Sequence, residues 1–266
     1  MTKKVSLPSN LPPFYVNVPF DRLRNEFLEL FIENKVRPEI GLDGDLLYNR
    51  SHEDFQEIAD ELKRAELPCT IHAPFFDLIP GALDGNILRA TREKLQKAFK
   101  LIPLFEPVSI VCHLNYEDNK HEERQEEWLK ASVETWSGLS AVAAKQGTML
   151  MLENTYETGP EPFRLVFEKL DRPNVRFCLD VGHTLAFARN NWQDWLPALE
   201  PWLGQLHLHD NHGDRDSHLA IGEGIFDFTG LFDYLNQKEM APIITLEPHD
   251  KEAFWGSIKA LERLFC

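Results

Sequence analysis

The sequence predicts an α/β fold, a single (β/α)8 TIM barrel spanning residues 1–266, and three observations point there. Short apolar, β-branched runs alternate with longer amphipathic stretches, a pattern that calls for a parallel sheet covered by helices. Eight such units fit into about 250 residues, the usual size of a closed eight-stranded barrel. No Gly-x-Gly-x-x-Gly follows the first strand, which disfavours the alternative, an open doubly wound sheet.

The elements follow in order. A strand is expected at Phe14–Val18, then a helix over Arg22–Asn34 with Leu23, Phe27, Leu30 and Phe31 on one face. The strand Arg37–Leu42 leads to a helix at Ser51–Ala65, where Ser51 is suited to cap the N-terminus and Phe55, Ile58 and Leu62 share a face. Strands at Cys69–His72 and Val108–His113 precede helices at Thr91–Leu104 and Glu122–Lys145. The remaining strands are Met149–Glu153, Val175–Asp180, Gln205–His209 and Ile243–Glu247, short apolar runs that read as buried. Helices at Pro162–Leu170, Trp192–Leu199, Phe228–Leu235 and Lys251–Leu264 complete the set. Asp210–Gly224 stands apart as a long polar loop, a type that often carries function. No linker or repeat marks a second domain.

Composition narrows the function. Lys and Arg number 28 against 43 Asp and Glu, a formal charge of −15. Such a chain is a poor partner for DNA or an anionic membrane, so a small-molecule substrate is expected. The four cysteines, Cys69, Cys112, Cys178 and Cys266, form no CxxC motif and fit a reducing compartment. Met1–Pro8 contains no apolar core of a signal peptide, and no apolar run approaches the roughly 18 residues of a membrane helix. A soluble cytoplasmic protein is expected.

The strand ends carry the chemistry. Six consecutive strands finish on a His, Asp or Glu: His72, His113, Glu153, Asp180, His207 and Glu247. In a barrel these ends form one rim, where reactive groups gather. A lone histidine there is commonly structural, but several carboxylates buried together need a cation. Mixed imidazole and carboxylate donors suit Zn, Mn, Co or Fe better than Ca. His183 follows Asp180 by three residues, and Asp216 and His218 share a side if that stretch is extended, so these three join the candidates. His209 shares a strand face with His207, which would point it inward, and is read as a structural histidine or one that supports a ligand from behind. His212 and His249 are expected in loops, and His52 and His121 at solvated helix starts.

These residues resemble a known superfamily, the xylose isomerase-like TIM barrels, which includes sugar phosphate isomerases/epimerases and the family-2 AP endonucleases (endonuclease IV). The motifs are Ile71-His-Ala-Pro74, Val111-Cys-His113, Leu152-Glu-Asn-Thr155, Cys178-Leu-Asp-Val-Gly-His183, His207-Leu-His-Asp210, Asp216-Ser-His218, Gly222-Glu-Gly224 and Leu246-Glu247. They cover the stretch from the third strand to the eighth. Similarity to the isomerases implies one metal held by Glu153, Asp180, His207 and Glu247. Glu153 and Glu247 would then exchange a substrate proton through a metal-stabilised enediolate, and His183 would orient substrate oxygens. Similarity to endonuclease IV implies three zinc ions: His72, His113 and Glu153 on one, the quartet on the second, and His183, Asp216 and His218 on the third. The resemblance therefore implies one to three divalent ions per chain.

Three functions follow in order of preference. The first is a metal-dependent isomerase or epimerase of a small sugar, polyol or sugar phosphate, favoured by the quartet and the acidic surface. The second is a multinuclear phosphoester hydrolase, favoured by the full set of nine residues. Against DNA stand the missing basic cluster at the strand ends and Phe75, where the endonucleases commonly have Tyr. The third is a non-catalytic metal or carbohydrate binding protein, disfavoured because both Glu153 and Glu247 are present. Phe20, Phe75, Phe76 and Asp77 suit either the lining of a substrate pocket or plain packing, and the sequence does not choose between the two.

Overall fold

The computed structural model describes residues 11–265; Met1–Pro8, read above for a leader, and Cys266 lie outside the described residues. Eight parallel strands close into a barrel: β1 (Phe14–Pro19), β2 (Arg37–Gly41), β3 (Thr70–His72), β4 (Ser109–His113), β5 (Met149–Glu153), β6 (Val175–Asp180), β7 (Leu203–Leu208) and β8 (Ile243–Leu246). Pairing of Phe14 with Ile244 and Val16 with Leu246 joins the first strand to the last and rules out the open sheet.

Strand alternation explains what each side of the sheet does. Outward residues such as Ile40, Ile71, Ile110, Leu152, Leu179 and Leu206 are fully buried against the surrounding helices, which supply Phe163, Trp195 and Leu231 among others. Each such side chain contributes about 1.5–3 kcal/mol on burial. Inward residues are far more polar. A small apolar group, Val111, Met151 and Cys178, fills the β4–β6 side of the interior. Among the described residues, no helix is long and apolar enough to cross a membrane.

Several helices differ from the sequence expectation for local reasons. Ser51 caps His52–Arg64 as expected, in a reciprocal pair with Asp54. The helix expected over Thr91–Leu104 instead spans Gly85–Phe99, because Asp84 accepts from the Asn86 and Ile87 amides and starts it early. Leu101 then opens a separate turn, Ile102–Phe105, with Pro103 in its first turn. Trp192–Leu199 splits into a 3-10 turn at Trp192–Asp194 and a short helix at Leu196–Leu199, with Pro197 in its first turn. Phe20 does not face a pocket: it is fully buried, its ring 4.7 Å from that of Phe55.

Candidate metal centre

The inward step that ends each strand builds the site. Thr70, Val111, Met151, Cys178, Gln205 and Thr245 each precede a candidate residue by two positions, so the next inward side chains are His72, His113, Glu153, Asp180, His207 and Glu247. These six are buried, Asp180 and His207 completely. Asn154 fastens β5 to β6: its side chain donates to Asp180 O at 2.9 Å and accepts from the Asp180 amide at 2.8 Å.

Glu153 is the hub. Its Oε2 lies 3.2 Å from His72 Nε2 and 3.4 Å from His113 Nε2, and its Oε1 lies 3.5 Å from His207 Nδ1. His207 Nδ1 is also 3.1 Å from Glu247 Oε1 and 4.0 Å from Asp180 Oδ2. Farther out, Asp216 Oδ2 lies 3.4 Å from His183 Nε2 and 3.0 Å from His218 Nε2. All nine residues singled out in the sequence therefore meet in one continuous group. Asp216 and His218 do so without the extended backbone assumed above, since His218 adopts a positive φ of 48°.

The loop that carries these two is pinned by Asp210. Its carboxylate accepts from the amides of Asn211, Gly222, Gly224 and Phe226 at 2.9–3.1 Å, and its backbone bridges to Leu219.

Histidine hydrogen bonds fix which ring nitrogen faces inward. His72 Nδ1 donates to Ala73 O at 3.0 Å, His183 Nδ1 to Asn154 O at 2.8 Å, and His218 Nδ1 to Glu247 O at 2.8 Å. A carbonyl only accepts, so Nδ1 carries a proton, and Nε2, turned toward the oxygens of Glu153 or Asp216, is the nitrogen that a cation would take once its own proton leaves. His207 is turned the other way. Its Nε2 lies 3.1 Å from Glu39 Oε1, and its Nδ1 is buried with no hydrogen-bond partner. Metal-binding histidines are held in this manner, one nitrogen tied to a carbonyl or carboxylate and the other free.

Two further atoms, His209 Nδ1 and Asp216 Oδ1, are also buried and unpartnered. His207 Nδ1 lies 3.1 Å from Glu247 and 3.5 Å from Glu153, near the edge of about 3.3–3.4 Å in a tetrahedron of donors about 2.0–2.1 Å from a zinc ion, and Asp180 stands wider at 4.0 Å. The residues present fit a divalent cation.

Electrostatics agree. Burial alone would raise Glu153, but His113 and His207 beside it hold its carboxyl well below the usual range. Burial opposes a charged His183, yet Asp180, Asp216 and Glu153 push it well above an ordinary imidazole. Burial is also the main force raising Glu247. Imidazoles and carboxylates thus hold one another in charged forms, and a cation binding among them would compete with the imidazole protons.

Other positions meet expectation, differ from it or were missed. His209 points inward and supports a cluster residue, in keeping with expectation: its Nε2 lies 3.1 Å from both Asp180 oxygens, and its ring stacks on His218 at 3.9 Å. Gly182 makes room for it, since a Cβ there would run into the His209 ring. His121, expected in solvent, is buried and bonded to the Glu117 amide at 2.9 Å. His52 is exposed as expected, and His249 stacks on His218 at 4.0 Å.

The main omission is Glu39, fully buried and inward on β2. Its Oε2 accepts from Gln205 at 2.7 Å, Thr70 at 2.9 Å and Thr245 at 3.1 Å, while Ser109 donates to Gln205 at 2.7 Å. The signal was one acid inside an otherwise short, enclosed strand, Arg37-Pro-Glu-Ile-Gly41.

Comparison with known proteins follows the geometry. A family model described as xylose isomerase-like TIM barrel matches residues 27–264. An uncharacterized protein of Methanocaldococcus jannaschii is 26% identical over 193 residues, covering 69% of this chain and 65% of that protein, just under two thirds of its length. A solved D-tagatose 3-epimerase-like protein superposes with a TM-score of 0.80 at 23% identity, over 94% of this chain and 97% of that one. A Thermus thermophilus protein soaked with zinc chloride superposes at 0.78, also at 23% identity, over 95% and 98%.

Proposed function

The chain belongs to the xylose isomerase-like TIM barrel family, and on that premise we propose that it is a divalent-metal-dependent isomerase or epimerase of a small sugar, polyol or sugar phosphate. The observation that carries this reading is His207 Nδ1, buried, unpartnered and facing the carboxylates of Glu153, Asp180 and Glu247. Likeness to a D-tagatose 3-epimerase-like protein supports the same chemistry.

Glu153, Asp180, His207 and Glu247 would hold Zn, Mn, Co or Fe. A cation bound there would draw charge from a substrate carbonyl and neighbouring hydroxyl, so that the intervening carbon gives up its proton more readily. Glu153 and Glu247, brought to His207 from β5 and from the end of β8, are the groups placed to take that proton and return it. His183, tied through Nδ1 to Asn154 O, presents Nε2 to substrate oxygens.

Among the described residues, no Lys or Arg pairs with any of the nine. Arg22, Lys120 and Lys251 do line the cavity that opens on the site, so a phosphorylated sugar stays within the proposed substrate class.

A second reading, a multinuclear phosphoester hydrolase, is favoured by one observation: His72 and His113 on Glu153 Oε2, and His183 and His218 on Asp216 Oδ2. The test is to reconstitute the apo-protein, count ions per chain by elemental analysis, and follow deuterium from solvent into carbon positions of a sugar and sugar-phosphate panel. One ion with carbon-bound exchange supports the isomerase. Two or three ions, no exchange and cleavage of a small phosphodiester replace it with the hydrolase.

A further inference from the structure

Resting on the metal-centred reading of the site, we propose that the substrate carries an apolar, ring-bearing group beside its chelating oxygens. That group lies on an aromatic wall formed by Phe75, Phe76, Tyr156 and Phe187.

A cavity of about 900 Å³ opens on the cluster, with His72, His113, Glu153 and His183 among the residues that line it. This volume lies near the top of the range of roughly 300–1,000 Å³ that serves drug-sized ligands. The greater part of its lining is apolar. A free hexose bears a hydroxyl on nearly every carbon, and each hydroxyl that leaves water needs a partner. Such a molecule would leave most of this surface unmatched.

The aromatic residues begin at the imidazoles themselves. Phe75 stacks on His113, with centroids 4.5 Å apart and rings inclined by 23°, and Phe76 continues from Phe75 at 4.3 Å. On the other side Phe187 lies 5.2 Å from His183, and Tyr156 continues from Phe187 at 5.0 Å. Both outer rings line the cavity yet remain open to solvent, Phe76 at 64% and Tyr156 at 50% exposure. Large aromatic side chains left uncovered in a concave site mark a place where an apolar partner sits. Asn17 and Asp43 line the cavity from the β1 and β2 side, so hydroxyls find partners there. The cavity thus offers a few polar groups within a mostly apolar lining, above a floor suited to chelation.

The test uses two pairs of probes that differ by a ring, titrated calorimetrically into zinc-loaded protein. Acetohydroxamate and phenylacetohydroxamate share a metal-chelating head. Methyl and phenyl β-D-glucoside share a sugar. The ring-bearing member of each pair should bind at least about tenfold more tightly. In Phe76→Ala and Tyr156→Ala, both at exposed positions that leave the fold intact, that ratio should shrink severalfold.

Equal affinity within both pairs, or no binding by any member, overturns the proposal. So does a ring preference that both variants retain in full. The isomerase reading fails separately: loss of carbon-bound deuterium exchange, with the ring preference intact, removes that reading and leaves the aromatic wall. Exchange in simple sugars without any ring preference does the reverse.

Discussion

Two groups of buried polar side chains lie one inward step apart in this barrel, and they meet the cost of burial differently. In the lower group, Glu39, Thr70, Ser109, Gln205 and Thr245 bond to one another, with Glu39 accepting from three of them. In the upper group, His207 Nδ1, His209 Nδ1 and Asp216 Oδ1 have no hydrogen-bond partner. A buried polar atom left unpaired costs about 1–3 kcal/mol, so such atoms persist where something else completes them. Polar burial alone does not mark function. What marks it is unpaired imidazole and carboxylate atoms converging on one centre, since unpaired atoms such as Trp128 Nε1, Ser132 Oγ and Trp136 Nε1 also occur away from it.

The contrast can be broken, beginning with the largest effect. Glu153→Gln or Glu247→Gln should lower solvent–carbon proton exchange by about 10²–10⁴-fold, read by NMR in deuterium oxide. Rates near wild type in either variant would take that carboxylate out of the chemistry.

Glu157 offers a buried acid outside both groups. Burial pushes its carboxyl up to about 7, against the pull of the Thr155 and Tyr116 amides. The folded value is above the unfolded one, so the favourable neutral form is fully present at low pH and is lost as pH rises through 7. From pH 5 to 8, wild type should lose up to about 3 kcal/mol relative to Glu157→Gln in urea unfolding. A pH-independent difference would show that Glu157 is already ionised in the fold.

Glu39→Gln should weaken zinc binding by about 10–100-fold, measured against a chromophoric chelator, because it releases His207 Nε2. Ser109→Ala removes a member of the same network that does not touch His207. It should cost about 1–3 kcal/mol of stability and leave zinc affinity unchanged. Equal losses of affinity would show that the contact with His207 is not what links Glu39 to the upper group.

Gly182→Ala should cost about 1–3 kcal/mol through overpacking against His209. Gly85→Ala, where an added Cβ meets nothing, should be neutral or slightly stabilising in the same thermal unfolding series.

The barrel was readable because its strands are short apolar runs, and six of the eight finish on a His, Asp or Glu; that regularity exposed six of the cluster residues, while His183, Asp216 and His218 came from spacing in the loops that follow. Other features depended on contacts between distant segments. Glu39 shows only a faint signal in sequence, one acid inside a short strand, and its role arises from partners far along the chain, Thr70, Gln205, His207 and Thr245. His209 lies on the same strand face as His207, but nothing in the sequence shows that Gly182 clears space for its ring. Asp216 and His218 were chosen on an extended geometry, whereas the loop held by Asp210 brings them together with His218 at a positive φ. Helix ends moved where caps and prolines, Asp84 and Pro197 among them, outweighed apolar periodicity.

The central claim is that the unpartnered atoms of the upper group await a cation. Calorimetric titration of zinc into the apo-protein, with ions counted per chain, tests it most directly. The account predicts at least one tightly bound ion, lost in His207→Ala and retained in His249→Ala. Failure to bind zinc, or undiminished binding in His207→Ala, would contradict it.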